Sequence, residues 1–134
     1  MEKIIEIVRL KQITTEIELP ITEIRSSFEI ANWLQEEIGN ETQELLVLLC
    51  LDTKNKINAF SFVFKGTVNQ ATAHPRDIFQ RAILANSARI IVAHNHPSNN
   101  TKPSEADKSF TKRLAECGDI LGIQLLDHLI IGHK

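Results

Sequence analysis

Apolar residues fall at nearly every second position over residues 3–19 and stop at Pro20, an alternation that predicts one or two strands in an N-terminal segment of about residues 1–25. The period then changes. After Ser26 and Ser27, FEIANWLQEEIG places Phe28, Ile30, Ala31 and Leu34 on one helical stripe, and Gly39 closes it. ELLVLLCLD, residues 44–52, is apolar on both faces, as a strand covered from two sides must be. The turn-rich TKNK leads into INAFSFVF, so the two runs read as an antiparallel hairpin that ends at Gly66.

Beyond VNQATAHP, Pro75 suits a first helical position, and RDIFQRAILANS sets Ile78, Phe79, Ala82 and Ile83 on one face. ARIIVAHNH reads as a short buried strand. A further helix is expected from about Ser104 to Cys117, stopped by Gly118, before a last strand in IQLLDHLII. Helices alternating with apolar strands after a hairpin predict an α/β (α+β) domain, a mixed sheet with helices packed on it. There is no repeat and no low-complexity linker. The chain stops at IGHK, directly after an apolar strand, which suggests one domain over residues 1–134 cut short at its carboxyl end.

With 134 residues and 43% hydrophobic content, the chain can build one core, and one site on one scaffold is expected. Its 15 basic and 17 acidic residues give a net charge of -2, so no global positive field draws it to nucleic acid, and DNA contact would need a local patch. Cys50 and Cys117 form no CxxC pair and read as reduced thiols. The amino terminus lacks a signal-type apolar core, and no apolar run is long enough to cross a membrane, so a soluble cytoplasmic protein is expected.

Chemistry concentrates in VAHNHPSNNTKPSEAD, residues 92–107. Side chains two apart on a strand point the same way, so His94 and His96 can present imidazoles to one point while Asn95 points away. Pro97 turns the chain out, and Asp107 returns from the first turn of the next helix. Two imidazoles and one carboxylate are a common open ligand set for catalytic zinc. Ser104-x-x-Asp107 reads equally as a capping box at a helix start. A hydrolytic site also needs a base, and Glu44, opening the central strand, is the nearest upstream acid held rigidly; Glu41, in the looser NETQ, competes with it. His74, in HPRD, and Asp127 and His128, in LLDHLII, fit supporting roles better than ligand roles. Asp127 and His128 face opposite sides of their strand, so one of them is expected to support the site.

The order of these residues resembles the JAMM motif of the MPN metalloproteases: an upstream Glu, then H-x-H-P, then S-x-x-D. More closely, the chain is similar to the RadC family of bacterial proteins. That likeness runs from about Glu44 to Gly132 and includes LDTKNKI, the GT of FKGTVNQA, HPRDIFQRAI, AHNHPS, PSEAD and LLDHLIIG. The resemblance implies a curved mixed sheet between helices, the JAB/MPN (cytidine-deaminase-like) fold. It implies one zinc ion held by His94, His96 and Asp107, Glu44 as general base, and Ser104 stabilising a tetrahedral intermediate. Asn99 stands where the family has glycine, and since Asn tolerates the left-handed conformation, the turn is expected to survive. The helix-hairpin-helix region often found ahead of this domain does not occur within these 134 residues, so direct DNA binding by them is not expected.

Three functions of different class follow: a zinc metallopeptidase or isopeptidase with a peptide or protein substrate, a DNA-repair accessory domain, and an inactive interaction module. The near-neutral charge counts against the second. A complete set of Glu44, His94, His96, Ser104 and Asp107 counts against the third. The consecutive His94-Asn95-His96 does not match the dispersed HNH nuclease motif, and neither H-E-x-x-H nor the H-x-E with P-C-x-x-C pairing of the deaminases is present.

Overall fold

The computed structural model describes residues 1–66 and 74–133. Seven elements follow one another: α1 (Ser27–Ile38), β1 (Glu44–Leu51), β2 (Ile57–Gly66), α2 (Pro75–Leu84), β3 (Arg89–Asn95), α3 (Glu105–Leu121) and β4 (Gln124–Ile131). The four strands form one sheet in the order β2-β1-β3-β4. β1 runs antiparallel to both β2 and β3, whereas β3 and β4 are parallel and joined through α3, which makes the sheet mixed. This is the mixed α/β architecture expected of a JAB/MPN fold.

The two-faced apolar pattern of β1 has a direct structural cause. Val47, Leu49 and Leu51 pack with Ile30, Trp33, Leu34 and Ile38 of α1 on one face. Leu46, Leu48 and Cys50 meet Ile78, Phe79 and Ala82 of α2 and Leu114 of α3 on the other. Residues 45–51 are all buried, and each fully buried Leu or Val contributes roughly 1.5–3 kcal/mol relative to exposure. The sheet is therefore held between α1 and the α2–α3 layer.

Several sequence expectations need correction. Residues 3–19 form no strand; residue 23 makes an isolated antiparallel bridge to Lys56, and upstream of it the alternating residues pair with no strand among the described residues. In α1 the buried stripe is Ile30, Trp33, Leu34 and Ile38, with Phe28 76% exposed, because the face toward the sheet is set one residue away from the expected line. Ile83 is likewise exposed on α2. Gly118 does not stop α3: the helix continues to Leu121 and ends at Gly122, whose φ of 73° is the left-handed cap. Gly118 is instead a packing glycine, since a Cβ there would sit 2.3 Å from the Ile123 carbonyl oxygen. Of the stretch VNQATA and the Thr of the GT pair, residues 67–73 lie outside the described residues. Cys50 and Cys117 are free thiols. Among the described residues, no helix is long and apolar enough to cross a membrane.

Candidate metal centre

Because β1 and β3 are antiparallel, the first residue of β1 and the last residues of β3 lie at the same end of the sheet. Glu44 begins β1, and His94 lies in β3 opposite Leu46. His96 follows the strand, its backbone N–H donating to the Ile131 carbonyl at 2.9 Å, so the ladder carries the histidine pair into register. The loop beyond is pinned. Asn99 adopts φ 65°, the left-handed turn expected of it, and its Oδ1 accepts the His133 N–H at 2.5 Å.

Asp107 arrives from the first turn of α3. Ser104 is the N-cap: its hydroxyl accepts the Asp107 N–H at 3.0 Å, and Asp107 Oδ2 accepts the Ser104 N–H at 2.9 Å. The cap also aims the carboxylate. Asp107 Oδ1 lies 3.2 Å from His94 Nε2, and Oδ2 lies 3.2 Å from His96 Nε2. The two Nε2 atoms are 3.0 Å apart. Two imidazoles and a carboxylate brought together in this way are a donor set that could hold a metal ion. They also form a group of potential ligands whose atoms all lie within 4.8 Å of one another. Glu44 Oε1 stands 3.9 Å from His94 Nε2, beside the three.

Electrostatics distinguishes the members. Burial pushes His94 down to about 4, helped by the neighbouring His128, so its ring is neutral near pH 7. Burial also raises the Glu44 carboxyl, and Asp107 adds to the rise while His96 opposes it. Burial alone would raise Asp107, but the Ser104 hydrogen bonds and the imidazoles beside it outweigh that and hold it below the usual range. The result is an anionic carboxylate, a neutral ring at His94 and an acid displaced toward neutrality at one opening.

His96 has a fixed tautomer. Its Nδ1 lies 2.6 Å from the Asn100 carbonyl, which can only accept, so Nδ1 carries a proton, and in the neutral ring Nε2 presents a lone pair toward Asp107 and His94. Of the expected supporting pair, His128 reaches the site, with Nε2 2.9 Å from His94 Nδ1. Asp127 turns to the other side, accepting from the Ser27 hydroxyl at 2.8 Å and the His128 N–H at 2.8 Å. His74 caps α2, accepting the Arg76 N–H at Nδ1, and takes no part in the cluster. Glu41 is exposed and contributes its backbone carbonyl, not its carboxylate, to this end of the sheet.

Two residues were not singled out from sequence. Asn95 is fully buried; its Oδ1 accepts the Leu45 N–H at 2.6 Å, and its Nδ2 donates to the Gln43 and Glu41 carbonyls at 3.0 and 3.3 Å. It thereby grips the backbone on both sides of Glu44. A buried amide inside an apolar strand was the available signal, because such a group must find partners. Thr111, one turn after Asp107 on α3, contacts His128, and nothing in EADKSFTKRL marks it.

Comparison with known proteins agrees with this geometry. A profile of the RadC-like JAB domain matches residues 24–134. The chain is 50% identical over 109 residues to a UPF0758 protein of Enterococcus faecalis, covering 81% of this chain and 47% of that one. It is 47% identical over 111 residues to a UPF0758 protein of Clostridium beijerinckii, covering 83% and 48%. A Staphylococcus haemolyticus UPF0758 protein is 46% identical over 111 residues, covering 83% and 49%. The chain spans about half the length of the curated relatives it matches. With a match over most of its length, ending on the strands and helix that carry the histidine–aspartate cluster, this chain belongs to the RadC-like JAB domain family.

Proposed function

We propose that this domain is a zinc-dependent hydrolase that cleaves an amide bond in a peptide or protein, as a peptidase or isopeptidase. The observation that carries the reading is the convergence of one displaced acid, Glu44, on two imidazoles and a carboxylate that fit one ion. His94, His96 and Asp107 would hold the zinc. When bound, that ion would supply Lewis acidity, bringing the pKa of water from about 15.7 toward roughly 7.

Glu44 then has a definable task. Its carboxyl is raised by burial toward the range in which it can take a proton from water and return it to a leaving amine. Asn95, by gripping Gln43 and Leu45, restricts the backbone from which that carboxylate reaches the opening. Ser104 keeps Asp107 aimed through the reciprocal cap and stands at the edge of the cluster, where its hydroxyl could donate to a developing oxyanion. No serine or cysteine nucleophile is required.

Metal analysis followed by peptide-library digestion tests the reading. The expected result is about one equivalent of zinc in the wild type, lost in a His94→Ala, Asp107→Ala double variant. Peptide cleavage should disappear in Glu44→Gln while zinc is retained. Metal-free wild type would overturn the proposal, and cleavage equal in wild type and Glu44→Gln would remove Glu44 from its role. Zinc-loaded protein that cleaves no peptide would favour an interaction module instead.

A further inference from the structure

Behind the two histidines, a chain of hydrogen bonds links both ends of the ligand set: Asp107 carbonyl, Thr111 hydroxyl, His128 ring, His94 ring. We propose that Thr111 and His128 are positioning residues that fix the tautomer of His94, leaving its Nε2 bare and turned toward the metal-binding point. This inference rests on the metal-site reading above, but its geometry stands in the protein itself.

Thr111 has one hydroxyl hydrogen, and its Oγ1 donates it to the Asp107 carbonyl at 2.9 Å, an acceptor with nothing to give back. At 2.6 Å from His128 Nδ1, the same oxygen can then only accept, so His128 carries its proton on Nδ1. A neutral His128 has a lone pair on Nε2. That lone pair lies 2.9 Å from His94 Nδ1, which must be the donor. With its proton held at Nδ1, a neutral His94 has a bare Nε2. Burial disfavours the charged form of both rings, which supports the neutral assignment without being needed to orient the chain.

The consequence extends across the cluster. In a neutral His96, Nε2 is bare as well, because the Asn100 carbonyl holds the proton on its Nδ1. Two lone pairs thus face each other at 3.0 Å with Asp107 oxygens beside them. Such an arrangement is repulsive without a cation and suited to one with it. Thr111 matters twice, because the residue whose carbonyl receives its proton is itself a proposed ligand, one turn earlier on the same helix. Phe110, also on α3, lies edge-on to the His128 ring, with centroids 6.2 Å apart.

The decisive comparison is Thr111→Val, which keeps the shape and removes the hydroxyl, against Thr111→Ser, which keeps the hydroxyl. Long-range proton–nitrogen spectra of the metal-free protein, recorded at about pH 8, above the ordinary imidazole range, report the tautomer of each histidine. Wild type and Thr111→Ser should show His94 protonated at Nδ1; Thr111→Val should show a mixture. Zinc affinity by chelator competition should fall roughly 10-fold in Thr111→Val and be restored in Thr111→Ser. An Nδ1-bare His94 in the wild type would overturn the relay, as would Thr111→Val and Thr111→Ser agreeing in both tautomer and affinity to within about two-fold. Because the spectra are taken without metal, a failure of zinc binding would count against the hydrolase reading and leave the relay to be judged by the tautomer.

Discussion

Residues 92–107 and residues 1–16 both carry strong patterns in the sequence, and the fold treats them oppositely. At the Glu44 end of the sheet, every polar side chain that matters has a partner: Asn95 holds three backbone groups, and Asp107 divides its oxygens between a helix cap and two imidazoles. Along the N-terminal stretch, Ile4, Ile5, Val8 and Ile13 are between 85 and 96% exposed, and Gln12 reaches the Leu84 carbonyl at 3.3 Å. The difference lies in what each pattern requires. Alternation describes a strand that is ready to pair, while a ligand cluster needs only side chains brought to one end of elements already formed. A free strand gains its hydrogen bonds from a neighbour, and none among the described residues pairs with this stretch upstream of the bridge at residue 23.

If the contrast is sound, removing one hub at the ordered end should cost the most. Asn95→Leu has a suitable size but leaves the Leu45 N–H and the Gln43 and Glu41 carbonyls without their partner. An unsatisfied buried group costs about 1–3 kcal/mol, in full for the buried Leu45 N–H and in part for the two part-buried carbonyls, so a loss of about 2–4 kcal/mol is expected, visible as a thermal midpoint lower by roughly 10 °C. Activity toward a cleavable peptide should fall further than stability predicts, because Glu44 sits between the released contacts. A midpoint within about 2 °C of wild type would mean that water replaces the amide.

Acidification probes the same end through its histidines. An unfolded imidazole titrates near 6.5, and in the folded protein His94 titrates near 4. Between those values the unfolded chain binds a proton that the folded one refuses, so the metal-free protein loses stability as pH falls through this window, on the order of 3 kcal/mol from His94. His128 is shifted in the same direction and adds to the loss. Glu44 opposes it, since a raised carboxyl is protonated first in the folded state and gains stability on acidification above about 4.5. Denaturant titrations at about pH 7 and about pH 4.5 should therefore differ by a net decrease; equal stabilities would place the His94 ring in solvent.

How much of this was legible in the chain follows from the same contrast. The order of strands and helices could be read because β1 and β3 are apolar on both faces and the helix-start signals at Ser26, Pro75 and Ser104 are local chemistry. His94, His96 and Asp107 could be read because strand period and helix start place them without long-range information. Phe28 could not be placed, since only the contact of α1 with the sheet decides which of two adjacent stripes is buried. Thr111 and Asn95 were illegible or nearly so, because their roles depend on partners 17 and 50 or more residues away. Gly118 misled for a related reason: its lack of a side chain serves the approach of Ile123, which lies in the following connection. Gly118→Ala should cost about 1–3 kcal/mol by overpacking, less than Asn95→Leu, and a neutral result would mean that the α3–β4 connection shifts freely.

The smallest effect should come from the other end of the comparison. Deleting residues 1–16 removes seven large apolar side chains, Met1, Ile4, Ile5, Ile7, Val8, Leu10 and Ile13, each at least 69% exposed. It spares Leu19 and Ile21, which pack against the α1 face of the core, and the bridge at residue 23. Since the removed side chains gain little burial in the folded chain, stability should change by less than about 0.5 kcal/mol, and the unfolding midpoint should stay within about 2 °C. A larger drop would show that these residues are covered in solution. Sedimentation of the intact chain across a concentration series would then tell whether the cover is a second copy or the same molecule, because only association between copies depends on concentration.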